Sequence, residues 1–89
     1  MTGTKERGLR VMSNGFGLLK DKEKREGRRI TFDTMTAETN LAKMTVRRFT
    51  AQDAGDVSGS PLAAAAVMAD YLGVSLGELL TVEKEQVAE

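Results

Sequence analysis

Four residues punctuate this chain: Gly27, Asn40, Pro61 and Gly73 separate runs rich in helix formers, each long enough for only two to three turns. Gly and Asn accept the left-handed backbone that ends a helix, and Pro suits a helix's first turn. A chain cut this often cannot form a long-helix bundle or a broad sheet. It is restricted to several short helices around a small core, each held by packing more than by its own propensity. With 89 residues it makes one domain. Aromatic residues are only three Phe and one Tyr, so the core must come from Leu, Val, Met and Ala, a mix that favours helices.

The elements follow from period and caps. Residues 1–8 are a polar tail. LRVMS, 9–13, alternates apolar and polar and predicts a short strand. Gly15 and Gly17 interrupt, and from Phe16 the run FGLLKDKEKRE takes on helical spacing, with Asn14 as its cap and Gly27 as its stop. Thr31 caps a second helix, Phe32 to Glu38, broken by Thr39 and Asn40. A third runs from about Lys43 to Ala51. QDAGDVSGSP, 52–61, is a loop. In PLAAAAVMADYL, the residues Leu62, Ala65, Met68 (or Ala69) and Leu72 form one apolar stripe, closed by Gly73. Ser75 and Glu78 have capping-box spacing and open a short fifth helix. A short strand near Val82 precedes a polar tail, 83–89. The fold class expected is all-α, about five short helices around a helix-turn-helix core over residues 9–82. A minor β ribbon from the N- and C-terminal segments completes it.

Composition removes most chemistries. The chain has no Cys and no His, so thiol nucleophiles, disulfides, the usual zinc ligands and the commonest general base are missing. Asp53 and Asp56 are the nearest thing to paired catalytic acids, and acids in a Gly/Ser loop are usually turn formers. No phosphate loop or nucleophile elbow occurs. No enzyme, cofactor or metal site is expected. No apolar run reaches the ~20 residues of a membrane span, and the N-terminus lacks the apolar stretch of a signal peptide; a cytoplasmic protein is expected.

The zero net charge is a cancellation. Residues 1–50 carry 12 basic and 6 acidic side chains, net +6; residues 51–89 carry 1 basic and 7 acidic, net −6. Such segregation suits a molecule with one face for a polyanion. In the third helix, Val46 and Phe49 dock on the second helix beside Met35, with Leu41 following the turn into the core. Every charge then left on that helix is positive.

Two stretches resemble a known family, the lambda-repressor-like, Cro/C1-type helix-turn-helix regulators of bacteria and their phages. ITFDTMTAETNLAKMTVRRF is similar to the family's two-helix motif, and AAVMADYLGVSLGELL to its closing helices. The resemblance spans about residues 14–82. The turn holds Asn40 where the family usually has Gly, and Ala42 stands at a cap position usually filled by Ser or Thr. The resemblance implies a dimeric regulator that binds double-stranded DNA in the major groove. It places Lys43, Met44, Arg47 and Arg48 on the groove face. The chemistry of these types agrees: Arg offers two donors to guanine, Met44 an apolar contact to a thymine methyl, and Thr45 a hydroxyl to a phosphate or base edge. Arg28, Arg29 and Thr31 stand where the second helix's N-terminus approaches the phosphate backbone. The same residues admit plainer readings, as solvated cations, a packing Met and a simple cap. The alternative function is a protein-interaction module on the same fold, an antitoxin or phage factor whose acidic C-terminal half holds a partner protein.

Overall fold

A computed structural model describes residues 9–84. Five helices and a two-stranded antiparallel ribbon follow one another as β1 (Leu9–Ser13), α1 (Gly15–Glu26), α2 (Phe32–Thr39), α3 (Lys43–Thr50), α4 (Leu62–Leu72), α5 (Leu76–Leu79) and β2 (Leu80–Lys84). The protein is mostly helical with a minor β ribbon, the class expected from its punctuation. Among the described residues no helix is long and apolar enough to cross a membrane.

The helix stops act as their residue types dictate. Gly27, Asn40 and Gly73 all adopt the left-handed conformation, with φ of 65°, 63° and 77°. Asn40 is the only non-glycine among the described residues to do so. Its amide donates to the Thr36 carbonyl, closing α2. Thr39 continues α2 instead of breaking it. Its hydroxyl donates to the Met35 carbonyl at 2.7 Å and accepts from the Leu41 amide at 3.2 Å, so it fastens the last turn to the start of the connection. Ser75 and Glu78 form both bonds of a capping box at α5.

The core is one cluster. Phe49, Met35, Met68, Leu72, Leu79 and Val46 are its largest fully buried side chains, with Leu19 from α1 and Ile30 from the α1–α2 connection beside them. Leu41 packs on its margin. The stripe on α4 is the expected one at Ala65, Met68, Ala69 and Leu72, with Ala64 added and Leu62 left out. Ala64, Ala65, Met68, Ala69 and Leu72 are buried, whereas Leu62 is 68% exposed. Leu62 occupies the first helical position after Pro61, ahead of the turns that α4 lays on the core. The 51–61 segment is not wholly surface: Val57 is buried in the core.

The ribbon binds the two ends of the domain together. Its register pairs Leu9 with Lys84, Val11 with Val82 and Ser13 with Leu80. The other edge of β1 meets the loop, where the Val57 amide donates to the Val11 carbonyl at 2.7 Å and Met12 bridges Asp56. The strand expected at 9–13 thus pairs with the C-terminal strand of its own chain, as the expected ribbon requires. The strand expected near Val82 runs to Lys84, past the boundary set at 82. The tails at 1–8 and 85–89 lie outside the described residues.

Both glycines expected to interrupt the chain belong to α1. Asn14 sits at the cap position without capping. Its side chain donates to the Glu78 carbonyl and the Thr81 hydroxyl, at 3.0 and 2.8 Å, while Ser13 Oγ accepts from the Gly15 amide. Gly15 lies against α3: a Cβ there would stand 2.0 Å from the Phe49 carbonyl oxygen. Gly17 has nothing within 4 Å of that position. The Gly15→Ala variant should lose stability, by ~1–3 kcal/mol or more, because a backbone contact cannot yield as a side chain can. Gly17→Ala should gain ~0.5–1 kcal/mol. Chemical denaturation of the two variants checks the contrast.

Candidate nucleic-acid interface

A helix advances about 100° per residue, so positions determine faces. In α3, Val46, Phe49 and Thr50 are buried and Thr45 is half-buried. The remaining positions, Lys43, Met44, Arg47 and Arg48, are all exposed and share the opposite arc. The third helix therefore docks by one arc and presents three cations and a methionine on the other. Met44 is 70% exposed. An unbranched apolar side chain at the head of a basic helix contributes nothing to this core and is available to a ligand.

Helix α3 starts without a side-chain cap, since Ala42 has none to give. Two side-chain contacts from α2 reach α3, one at each end. Lys43 Nζ lies 3.0 Å from Asp33 Oδ1, and the Arg47 guanidinium lies over the Phe32 ring, 5.2 Å from its centre. The start of α2 is capped by Thr31, whose hydroxyl oxygen accepts from the Thr34 amide at 3.1 Å. Two depressions meet at Arg47. One, of about 430 Å³, lies between α1, the connection before α2 and the end of α3, and includes Lys20, Arg29, Thr31 and Arg47 in its lining. The other, of about 240 Å³, is lined by Met44, Arg47, Arg48 and the start of the 51–55 loop. Seven of the eight expected contact residues thus lie on or beside α3 and the N-terminus of α2. Among the described residues Arg29, Arg47 and Arg48 form no ion pair.

Arg28 differs. Its guanidinium grips Glu38 with two bonds, 2.9 and 3.0 Å, and reaches Glu26 at 2.7 Å. The Tyr71 hydroxyl from α4 donates to the same Glu38 carboxylate, and Lys22 lies over the Tyr71 ring. This network ties the ends of α1 and α2 to α4. Arg28 holds the end of α2 here instead of presenting a free charge. Glu38 is drawn down to about 2, first by the Arg28 bonds and then by the Tyr71 hydroxyl. Burial and the bond to Glu38 push the Tyr71 phenol up to about 12. On the other side of the connection, Glu23 accepts from the Ile30 amide at 2.7 Å, and that bond is the main reason its carboxyl is held below the usual range.

Sequence reasoning missed Phe32, Asp33, Glu38 and Tyr71 as supports of this face. The pairs Asp33–Lys43 and Arg28–Glu38 are each ten residues apart, a spacing with no local rule behind it; the first spans the turn at Asn40, the second the α1–α2 connection and the length of α2. The chain matches no family model, no curated protein and no solved structure, so the purpose of the face is argued from its chemistry.

The Glu38 network has a consequence for acid stability. A carboxyl lowered on folding contributes stability above its ordinary value near 4.5 and loses it as pH falls toward 2. Glu38→Gln should lower Tm at neutral pH and flatten the decline of Tm between pH 4.5 and 2. The decline will not vanish, because Glu23, Glu26 and Asp56 are lowered too. Thermal melts across that range, followed by circular dichroism, check the difference.

Proposed function

We propose that this protein is a DNA-binding transcriptional regulator of the lambda-repressor-like, Cro/C1 helix-turn-helix type, working in the cytoplasm as a homodimer. The observation that carries this reading is the outward arc of α3: Lys43, Met44, Arg47 and Arg48 exposed together, with no carboxylate on the helix. A helix of this kind fits a major groove ~12 Å wide, where Arg side chains contact guanine O6 and N7 bidentately. Lys43, Arg29 and the capped start of α2 at Thr31 serve the flanking phosphates, and Thr45 a hydroxyl contact at the groove edge. One such helix reads few bases. A two-fold dimer doubles the contacts and sets half-sites ~34 Å apart.

A second reading has its own observation. Asp70, Glu78 and Glu83, on α4, α5 and β2, are exposed, and Val82 on β2 is 63% exposed. An acidic second half suits a basic protein partner, as in an antitoxin or a phage factor, and the two roles are compatible in one molecule.

Selection of bound duplexes from a random pool tests the first reading. A short palindrome should be enriched. Arg47→Ala and Arg48→Ala should each cost ~1–3 kcal/mol on the selected site and relax its sequence requirement. Binding should weaken steeply with salt. Failure to enrich any sequence, together with recovery of a stoichiometric basic partner in a pull-down, would favour the second reading instead.

A further inference from the structure

We propose that Asp33 lowers the affinity of this face for DNA of any sequence by competing with phosphate for Lys43. The inference rests on the DNA-binding reading and deepens it. Asp33 and Glu38 are the only acids between residues 27 and 52, and each holds one of the cations expected to touch DNA. They hold them differently. Glu38 grips Arg28 with two bonds and is itself held by Tyr71, so Arg28 is committed to the fold. Asp33 meets Lys43 through one contact at 3.0 Å, with side-chain exposures of 82% and 55%. Such a pair is screened by solvent and exchanges readily.

Apart from this pair, the charge of Asp33 contributes only the modest dipole effect of an acid in the first turn of α2. The α2 cap is Thr31, and Met35 is the residue that α2 buries. Yet its carboxylate stands beside the leading cation of the outward helix. When Lys43 moves to a phosphate, it leaves Asp33 unpaired and facing a polyanion. That cost falls on the sequence-independent part of binding, which is carried by phosphate neutralisation. Among the described residues Arg47 and Arg48 form no ion pair, so the competition is confined to Lys43. Specificity is a difference between two affinities, and a cost incurred at a phosphate lowers both alike and leaves their ratio unchanged.

The test measures fluorescence anisotropy for the wild type, Asp33→Asn, Lys43→Gln and the double variant. Each is titrated with a random-sequence duplex and with the duplex recovered by selection, at several salt concentrations. Circular dichroism confirms that all four are folded. Asp33→Asn should bind the random duplex about two- to fivefold more tightly at low salt, the scale of an exposed ion pair. Its salt dependence should steepen by ~0.9 in log–log slope, one extra phosphate contact. The gain on the selected duplex should be similar, so the specificity ratio is unchanged. In the Lys43→Gln background, removing Asp33 should change nothing. An unchanged affinity and slope in Asp33→Asn overturns the inference while leaving the DNA reading intact. So does an equal gain without Lys43, since Asp33 would then act only through overall charge. A protein that binds neither duplex, in wild type and all variants, overturns both.

Discussion

The structure depends on how the C-terminal end of α3 is held. Ser13 donates its hydroxyl to the Phe49 carbonyl at 2.6 Å and accepts the Gly15 amide at 3.0 Å. One hydroxyl thus satisfies a carbonyl left over at the end of α3 and an amide left over at the start of α1. The missing side chain of Gly15 lets these two backbones meet. Phe49 itself is fully buried, so the residue whose carbonyl is fastened from outside also fills the centre from within. Ser13 ends β1, opposite Leu80 in β2. The ribbon, the first helix and the outward helix are therefore positioned by neighbouring atoms, and a displacement at one is felt by all three.

A second constraint governs charge. The segment from α2 to α3 contains two acids, and the fold gives both to cations. This divides the basic residues into two kinds. Arg28 is bound on two sides by Glu26 and Glu38 and is part of the scaffold, while Arg47 and Arg48, which form no ion pair among the described residues, are part of the face. Lys43 is intermediate, held by a single exposed contact. A count of positive charge in the first half of the chain treats these residues as equal. The geometry shows that their freedom to engage an anion differs, and freedom to engage is what decides affinity for a polyanion.

The legible parts of this fold were those decided by local backbone chemistry. Gly27, Asn40 and Gly73 ended their helices because few other residues accept positive φ, and Ser75 with Glu78 made a box because the spacing closes it. The burial of Val46 and Phe49 was legible because three-residue spacing fixes a face. The exposure of Leu62 on α4 was not. Four consecutive alanines allow several stripes at nearly equal cost, and Leu62 looked like an anchor only because it was the largest apolar residue nearby. Asn14 and Gly15 were misread for a related reason. Each has a common local role, cap and breaker, and each is used for a partner more than thirty residues away. The outward arc of α3 could be read from the sequence, but the residues that steady it could not.

Helix α3 has eight residues, no side-chain cap and two basic residues in its last turn. A segment that short does not hold a helix alone in water, since nucleation is costly and few bonds repay it. The basic last turn helps modestly through the helix dipole. What makes the helix persist is the burial of Val46, Phe49 and Thr50 and the bond from Ser13. The arrangement of Lys43, Met44, Arg47 and Arg48 is therefore a property of the core and not of the sequence that carries them. Damage at Gly15 or Phe49 would scatter the face without touching a single residue on it. An isolated peptide of residues 41–51 would keep the charges and lose the arc.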